Sequence, residues 1–258
     1  MMLISPEKKY KDDLFSLWKT CFGDEDGYID LFFNKEYEFC KTFARFENER
    51  IVSALYLLDC FISLDNERYN GYYLYAAATM PESRKKGIMT ALIKEAQQFA
   101  EKEKKSFIAL VPGEEPLYTY YRKFGFEKEM YKYRVENEKT VPADGKRTEA
   151  DRYLAYRLSV LQNALQFEKN EFSYVSDCYR YAGAGFRESS GGLMISDGKT
   201  AFEYLGNGEF SGEEQVFFGP SPVSDKSERL VFGQLYFTSE QTAEKFKDAE
   251  IYMNNALD

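Results

Sequence analysis

One stretch brings together residue types able to bind a bulky anion. It reads Tyr72-Tyr73-Leu74-Tyr75-Ala76-Ala77-Ala78-Thr79-Met80-Pro81-Glu82-Ser83-Arg84-Lys85-Lys86-Gly87-Ile88-Met89-Thr90-Ala91-Leu92. The pattern predicts a strand, a turn forced by Pro81, a basic loop, and a helix beginning on that loop. A helix N-terminus offers N–H groups without intrahelical partners at the positive end of the dipole, where phosphate binds. Gly87 lets the backbone approach such a group closely, and Arg84, Lys85 and Lys86 surround it with positive charge. On this stretch alone, a solvated helix start with chance basic residues explains the pattern as well. The chain has no histidine, so Ser-His-Asp hydrolysis, histidine-zinc chemistry and imidazole acid–base catalysis are excluded. Proton transfer must use a carboxylate, tyrosine, lysine, cysteine or water.

The elements that position this loop follow from periodicity. Leu14, Leu17, Trp18, Cys21 and Phe22 recur at helical spacing, and Gly23 to Gly27 stops that helix. Ile29, Phe32 and Phe33 mark a shorter one. Residues 42–47, 51–64 and 69–79 read as strands separated by Glu-Asn-Glu-Arg and Asp-Asn-Glu-Arg turns. A helix is predicted over 84–104, with Ile88, Leu92, Ala96 and Phe99 inward and Lys94, Gln97, Gln98 and Glu101 outward. A buried strand over 106–111, a brief helix over 116–123 and a strand over 126–135 follow. The polar stretch 136–150, with Pro142 and Gly145, reads as a linker. Beyond it, Leu154, Leu158, Leu161 and Leu165 suggest one helix and 171–182 a second. Strands then flank Asp197-Gly198, a hairpin signal. Strands over 215–218 and 230–237, a polar helix near 239–249 and a strand near Ile251 complete the chain.

The 258 residues suit one large or two modest domains. Acidic residues outnumber basic ones by 43 to 34, giving a net charge of −9, which argues against a nucleic-acid partner and leans slightly toward polycations. Cys21, Cys40, Cys60 and Cys178 lack metal-like spacing and read as reduced, packed thiols. No apolar run approaches the ~20 residues of a membrane span, and the N-terminus does not read as a secretory signal. A cytoplasmic protein with neither membrane nor metal is expected.

Arg84-x-x-Gly87 after a strand ending Thr79-Met80-Pro81, a strand at 107–111, and Tyr121-Arg122-Lys123-Phe124-Gly125-Phe126 together resemble the GNAT superfamily of acyl-CoA N-acyltransferases. The resemblance covers roughly residues 1–135. It implies an α/β fold, a mixed twisted sheet flanked by helices, in a catalytic domain over 1–138. A linker over 139–150 and a second α+β domain over 151–258 would follow, the latter ordered like a degenerate copy. It implies acetyl-CoA as co-substrate, with the thioester carbonyl on the backbone of Ala77, Ala78 and Thr79. The diphosphate would sit on Arg84, Lys85, Lys86, Gly87, Ile88, Met89 and Thr90. Tyr121 would return a proton to the leaving thiolate, with Tyr118 and Tyr120 as competitors. Met89 departs from the usual Gly or Ala and resembles the branch around the enhanced-intracellular-survival acetyltransferases.

The expected reaction is direct acetyl transfer to a small-molecule or peptide primary amine. The base is open: Asp24, Glu25 and Asp26, although capping of the second helix is the favoured role there; Glu114 and Glu115; or the carboxylate of Asp258. The strand 72–79 holds no acid. The second half shows no cofactor loop, and its expected role is to wall the acceptor cleft, mediate association or stabilise. A CoA-binding regulatory module without transfer activity is the main alternative. An interaction scaffold and an aminoacyl transferase needing charged tRNA are weaker ones.

Overall fold

The computed structural model describes residues 2–4, 8–136, 146–189, 191–206, 216–220 and 227–254. The first half runs β1 (Met2–Ile4), α1 (Lys8–Phe22), α2 (Asp26–Lys35), β2 (Lys41–Glu47), β3 (Arg50–Leu64), β4 (Glu67–Thr79), α3 (Ile88–Lys102), β5 (Phe107–Leu110), α4 (Glu115–Arg122) and β6 (Lys128–Glu136). The second runs β7 (Lys146–Arg147), α5 (Ala150–Val160), β8 (Ala164–Phe167), α6 (Lys169–Tyr181), β9 (Gly185–Ser189), β10 (Gly192–Ser196) and β11 (Thr200–Gly206). It ends with β12 (Val216–Gly219), β13 (Glu228–Phe237), α7 (Glu240–Lys245) and β14 (Ile251–Tyr252). Most of the expected linker, residues 139–145, lies outside the described residues, as does Asp258.

Local chemistry sets the first sheet. Asn48 and Glu49 (φ 50° and 63°) and Asp65 and Asn66 (φ 52° and 62°) close two-residue hairpins in the left-handed region. Along β3 the side chains alternate. Leu55 and Leu57 pack toward α3, while Ala54, Tyr56 and Leu58 pack into the core that holds α1 and α2.

The sheet runs through both halves. Its order is β1-β2-β3-β4-β5-β13-β6-β12-β11-β10-β9-β7. In each half an antiparallel meander leads to a parallel neighbour, β5 beside β4 and β12 beside β11. The strand that follows in the chain then crosses over. β6 pairs with β12, and β13 pairs with β5. β6 and β13 pair antiparallel at the centre. The first core also spans both halves, joining Trp18 and Phe32 to Phe167, Tyr174 and Tyr179. Among the described residues no helix is long and apolar enough to cross a membrane.

Three expectations are corrected. The helix predicted from Arg84 begins at Ile88, after a 3-10 turn at Pro81–Ser83, because Lys85 and Gly87 take positive φ. Its buried face is Leu92, Ile93, Ala96, Gln97 and Ala100, and the amide of Gln97, expected outside, donates to the Phe124 carbonyl at 2.7 Å. Leu165 belongs to strand β8, not to the preceding helix, and Leu158 is exposed. Helix α5 stops at Val160, and Asn163 (φ 52°) turns the chain into the strand.

Candidate active site

The site begins with a fault in β4. Two residues there, Ala76 and Ala77, oppose Leu55 of β3, and Ala76 is left-handed at φ 46°. On the other side, the parallel pairing of β4 with β5 stops at Tyr73 and Ala109. Beyond that point the strands part, leaving the β5-facing edge of β4 without a strand partner. Two cavities fill the gap, about 660 Å³ and about 800 Å³. Phe22, Ala77, Gly113, Leu117 and Tyr121 line both, so the two meet there.

The larger cavity follows the basic loop. Ala77, Ala78, Thr79, Arg84, Lys85, Gly87, Ile88, Met89 and Thr90, all expected at this site, line it. The first helical hydrogen bond of α3 is Ala91 N–H to the Gly87 carbonyl, at 3.1 Å. Ile88, Met89 and Thr90 therefore have no intrahelical acceptor for their N–H groups. Gly87 caps the helix at φ 75°, and no atom lies within 4 Å of where its Cβ would be. Glycine is favoured there by backbone conformation rather than by crowding.

The basic side chains brace the loop. Arg84 Nε donates to the Thr79 carbonyl at 3.0 Å. Lys86 Nζ, outside the cavity lining, lies 3.5 Å from Glu47, whose carboxylate also accepts from Ser83 Oγ at 2.9 Å. Ser53 Oγ donates to the Ala78 carbonyl at 2.8 Å and steadies the strand end. The basic loop with positive φ at Lys85 and Gly87, the unpaired amides and the cavity beside them fit a diphosphate-bearing co-substrate.

Tyr121, on α4, is nine-tenths buried against Phe126 and Tyr120. No hydrogen bond to its hydroxyl is formed by the described residues. Burial, with a smaller push from Tyr120, raises the phenol above its ordinary value, so it stays protonated at neutral pH. Of its competitors, Tyr120 reaches the loop cavity only, and the Tyr118 hydroxyl donates to the Val231 carbonyl at 3.4 Å.

Among the described residues, one carboxylate lines the smaller cavity. Asp24 Oδ2 accepts from the Trp18 indole at 2.7 Å, and both residues face the cavity. Its neighbours are engaged elsewhere: Glu25 accepts from the Tyr181 hydroxyl at 2.6 Å, and Asp26 pairs with Lys19 at 2.6 Å. The expected capping role is corrected here. Glu25 occupies the N-cap of α2 without a side-chain cap bond. Glu114, at the start of α4, lines the loop cavity instead, and Glu115 is exposed. Among the described residues no cluster of three or more His, Cys, Asp or Glu could hold a metal ion.

Several wall residues escaped the sequence reading. Tyr28 and Tyr75 line the smaller cavity with hydroxyls 3.2 Å apart, and Tyr75 continues to Tyr174 of α6 at 3.2 Å. Phe232 arrives from β13, where an extra residue bulges the strand between Val231 and Gln234. Gly233 makes that bulge at φ 123°, where a Cβ would stand 2.8 Å from the Leu110 carbonyl. A glycine inside a strand pattern was the available signal. A third cavity, about 250 Å³, shares Tyr28 and Phe232 with the smaller one and is otherwise lined mostly by the second half.

Residues 4–128 match the family model described as an acetyltransferase (GNAT) domain. No curated protein matches the chain in sequence. Among solved structures, a conserved protein of unknown function from Enterococcus faecalis V583 superposes with a TM-score of 0.69 at 19% identity, over 91% of this chain and 71% of that one. A GCN5-related N-acetyltransferase from Kribbella flavida gives 0.67 at 15%, over 94% and 73%. Eis1 from Mycobacterium abscessus gives 0.67 at 10%, over 94% and 74%. These likenesses extend the shared fold across both halves.

Proposed function

We propose that this chain, whose residues 4–128 form a GNAT acetyltransferase domain, moves an acetyl group from acetyl-CoA to a primary amine by direct attack. The domain supports acyl transfer in general. The finer reading rests on one observation: a buried phenol without a hydrogen-bond partner among the described residues stands where the cavity along the basic loop meets a cavity with one carboxylate on its described wall.

Acetyl-CoA supplies the acetyl group as a thioester. The amides of Ile88, Met89 and Thr90, with those of Lys85 to Gly87, would hold its diphosphate, and the unpaired edge at Ala77 to Thr79 would donate to the thioester oxygen. Asp24 would hold the amine at the other side of the junction and take its ammonium proton, directly or through water. The amine nitrogen then bonds to the carbonyl carbon as the carbon–sulfur bond breaks. Tyr121 gives its proton to the departing thiolate, and the second proton leaves the attacking nitrogen, directly or through water, to restore the phenol, while Asp24 returns the first to solvent.

The test is Tyr121→Phe. Turnover falls by about 10²–10⁴-fold, while acetyl-CoA affinity, measured by calorimetry, stays within about twofold. Equal loss of both would reduce Tyr121 to a packing residue. Calorimetric binding of acetyl-CoA without thiol release on any amine would favour a regulatory module that binds without transferring.

A further inference from the structure

We propose that the smaller cavity takes a primary amine with a single positive charge on an apolar, aromatic-bearing body, rather than a polycation. This rests on the acyl-transfer reading for its consequence and on the cavity wall for its evidence. Asp24 is the single charged side chain among the described residues that line it. The other side chains of the wall are aromatic or aliphatic, with Trp18, Phe22, Tyr28, Tyr75 and Phe232 supplying rings, and its further polar atoms are uncharged hydroxyls and backbone. One ammonium is satisfied by the Asp24 carboxylate and by ring faces. A second would lose its water against this wall with no carboxylate to meet it.

The adjoining cavity extends the same reasoning. It opens from Tyr28 and Phe232 and is lined by further rings, Phe202 and Phe218 among them. The one ionisable cation on its described wall is Lys132, whose Nζ lies 3.3 Å from the Phe232 ring centre. That space suits the far end of an apolar body, and its described wall offers no carboxylate to a second positive charge. The acidic whole-chain balance, which leans toward polycations, is thus reduced at the cavity to the one carboxylate of Asp24 among the described residues. The neighbouring acids Glu25 and Asp26 bond to Tyr181 and Lys19.

Trp18 is the chain's single tryptophan and lies in this wall, so its emission reports on this cavity. The full chain, without acetyl-CoA, is titrated with 2-phenylethylamine, with spermine, and with 2-phenylethanol as the uncharged counterpart. 2-Phenylethylamine is expected to change the emission saturably and to bind about tenfold or more tighter than either of the others. Asp24→Asn should remove about tenfold of the amine's affinity and leave 2-phenylethanol unchanged, since asparagine still accepts from the Trp18 indole. Phe232→Ala should weaken the amine and the alcohol alike. Tighter binding of spermine, or an amine affinity indifferent to Asp24→Asn, overturns the proposal. Thiol release from acetyl-CoA with the same amines is read separately. Release that is faster with spermine also overturns it and leaves acyl transfer intact. Preferential binding of 2-phenylethylamine without thiol release from any amine supports the proposed preference and overturns the transfer reading.

Discussion

The two halves pair their strands by the same plan and differ in what joins the third strand of each meander to its parallel neighbour. Between β4 and β5 lie 27 residues, including the basic loop and the 15-residue helix α3. Between β11 and β12 lie nine, too few for such a loop and helix. The interiors differ as well. In the second half Glu203 is buried, and it accepts from Tyr153, Tyr252 and the Arg157 guanidinium, which also donates to the Leu165 carbonyl. The polar groups of this cluster meet one another. In the first half Asp24 and Tyr121 turn polar atoms toward cavities. One chain path thus serves as a scaffold when its crossover is short and its buried charges are paired, as around Glu203. It becomes a site when the crossover is long and they are left open. Through the exchanged strand β13, the scaffold half also places Phe232 in the site of the other.

The sharpest way to break this contrast is to substitute one charge in each half. Arg157→Met strands a buried carboxylate and is expected to cost about 3–5 kcal/mol of unfolding free energy. Asp24→Asn, beside a cavity and still able to accept from Trp18, should cost less than about 1 kcal/mol. Urea denaturation of both variants measures the difference. Equal losses would mean that Asp24 is as structural as Arg157.

A second test addresses the seam between the halves. Glu36, at the end of α2, is 1% exposed, and neither carboxylate oxygen finds a hydrogen-bond partner. Around it stand Glu171 of α6, Asp59 of β3, and the thiols of Cys40 and Cys178, with Lys41 beside Cys40. Burial first, then Glu171 and Asp59, push its carboxyl from 4.5 to about 8. The folded state therefore keeps a proton that the unfolded state releases above about 4.5. Stability from this group is full below that value and is lost as pH rises through about 8. Between pH 6 and 9 the loss should be about 3 kcal/mol, nearly all of it below pH 8. Glu36→Gln should flatten that slope in urea titrations and leave stability near pH 5 little changed. A slope that persists in the variant would place the titration elsewhere.

Much of this plan was legible in the chain because short-range chemistry decides it. The two hairpins of the first sheet announced themselves in Asn48-Glu49 and Asp65-Asn66, and the basic loop in Arg84 to Gly87. What escaped depends on partners distant in sequence. Helical spacing places Leu165 with Leu161 and Leu158, yet β3 claims it as a strand residue against Ile62. Gln97 looked solvent-facing because its acceptor, the Phe124 carbonyl, lies 27 positions away. The exchange of β6 and β13 leaves no local mark, since each strand needs only an edge of the right pattern, whichever half supplies it. Phe232 and Tyr28 carry no local mark for the same reason. Asp24 was visible as an acid but not as distinct from Glu25 and Asp26. Their different partners, Trp18, Tyr181 and Lys19, separate them.

The smallest expected effect compares two exposed lysines, one on the first half's crossover and one on a hairpin of the second half. Lys86 sits in the long crossover, 3.5 Å from Glu47, and Lys199 in the hairpin after Asp197-Gly198. Surface pairs of this kind contribute about 0–1 kcal/mol, so neither Lys86→Gln nor Lys199→Gln should move the urea midpoint appreciably. Their effects on acetyl-CoA should part. Lys86 lies beside the proposed diphosphate cradle, and losing its charge should weaken binding about two- to threefold at low salt. That difference should vanish near ~0.5 M salt, where screening acts within a few ångströms. Lys199 has no such neighbour, and its substitution should leave affinity unchanged at any salt. If the two variants behave alike in calorimetry, positive charge anywhere on the chain suffices, and the long crossover loses its claim to be what separates the halves.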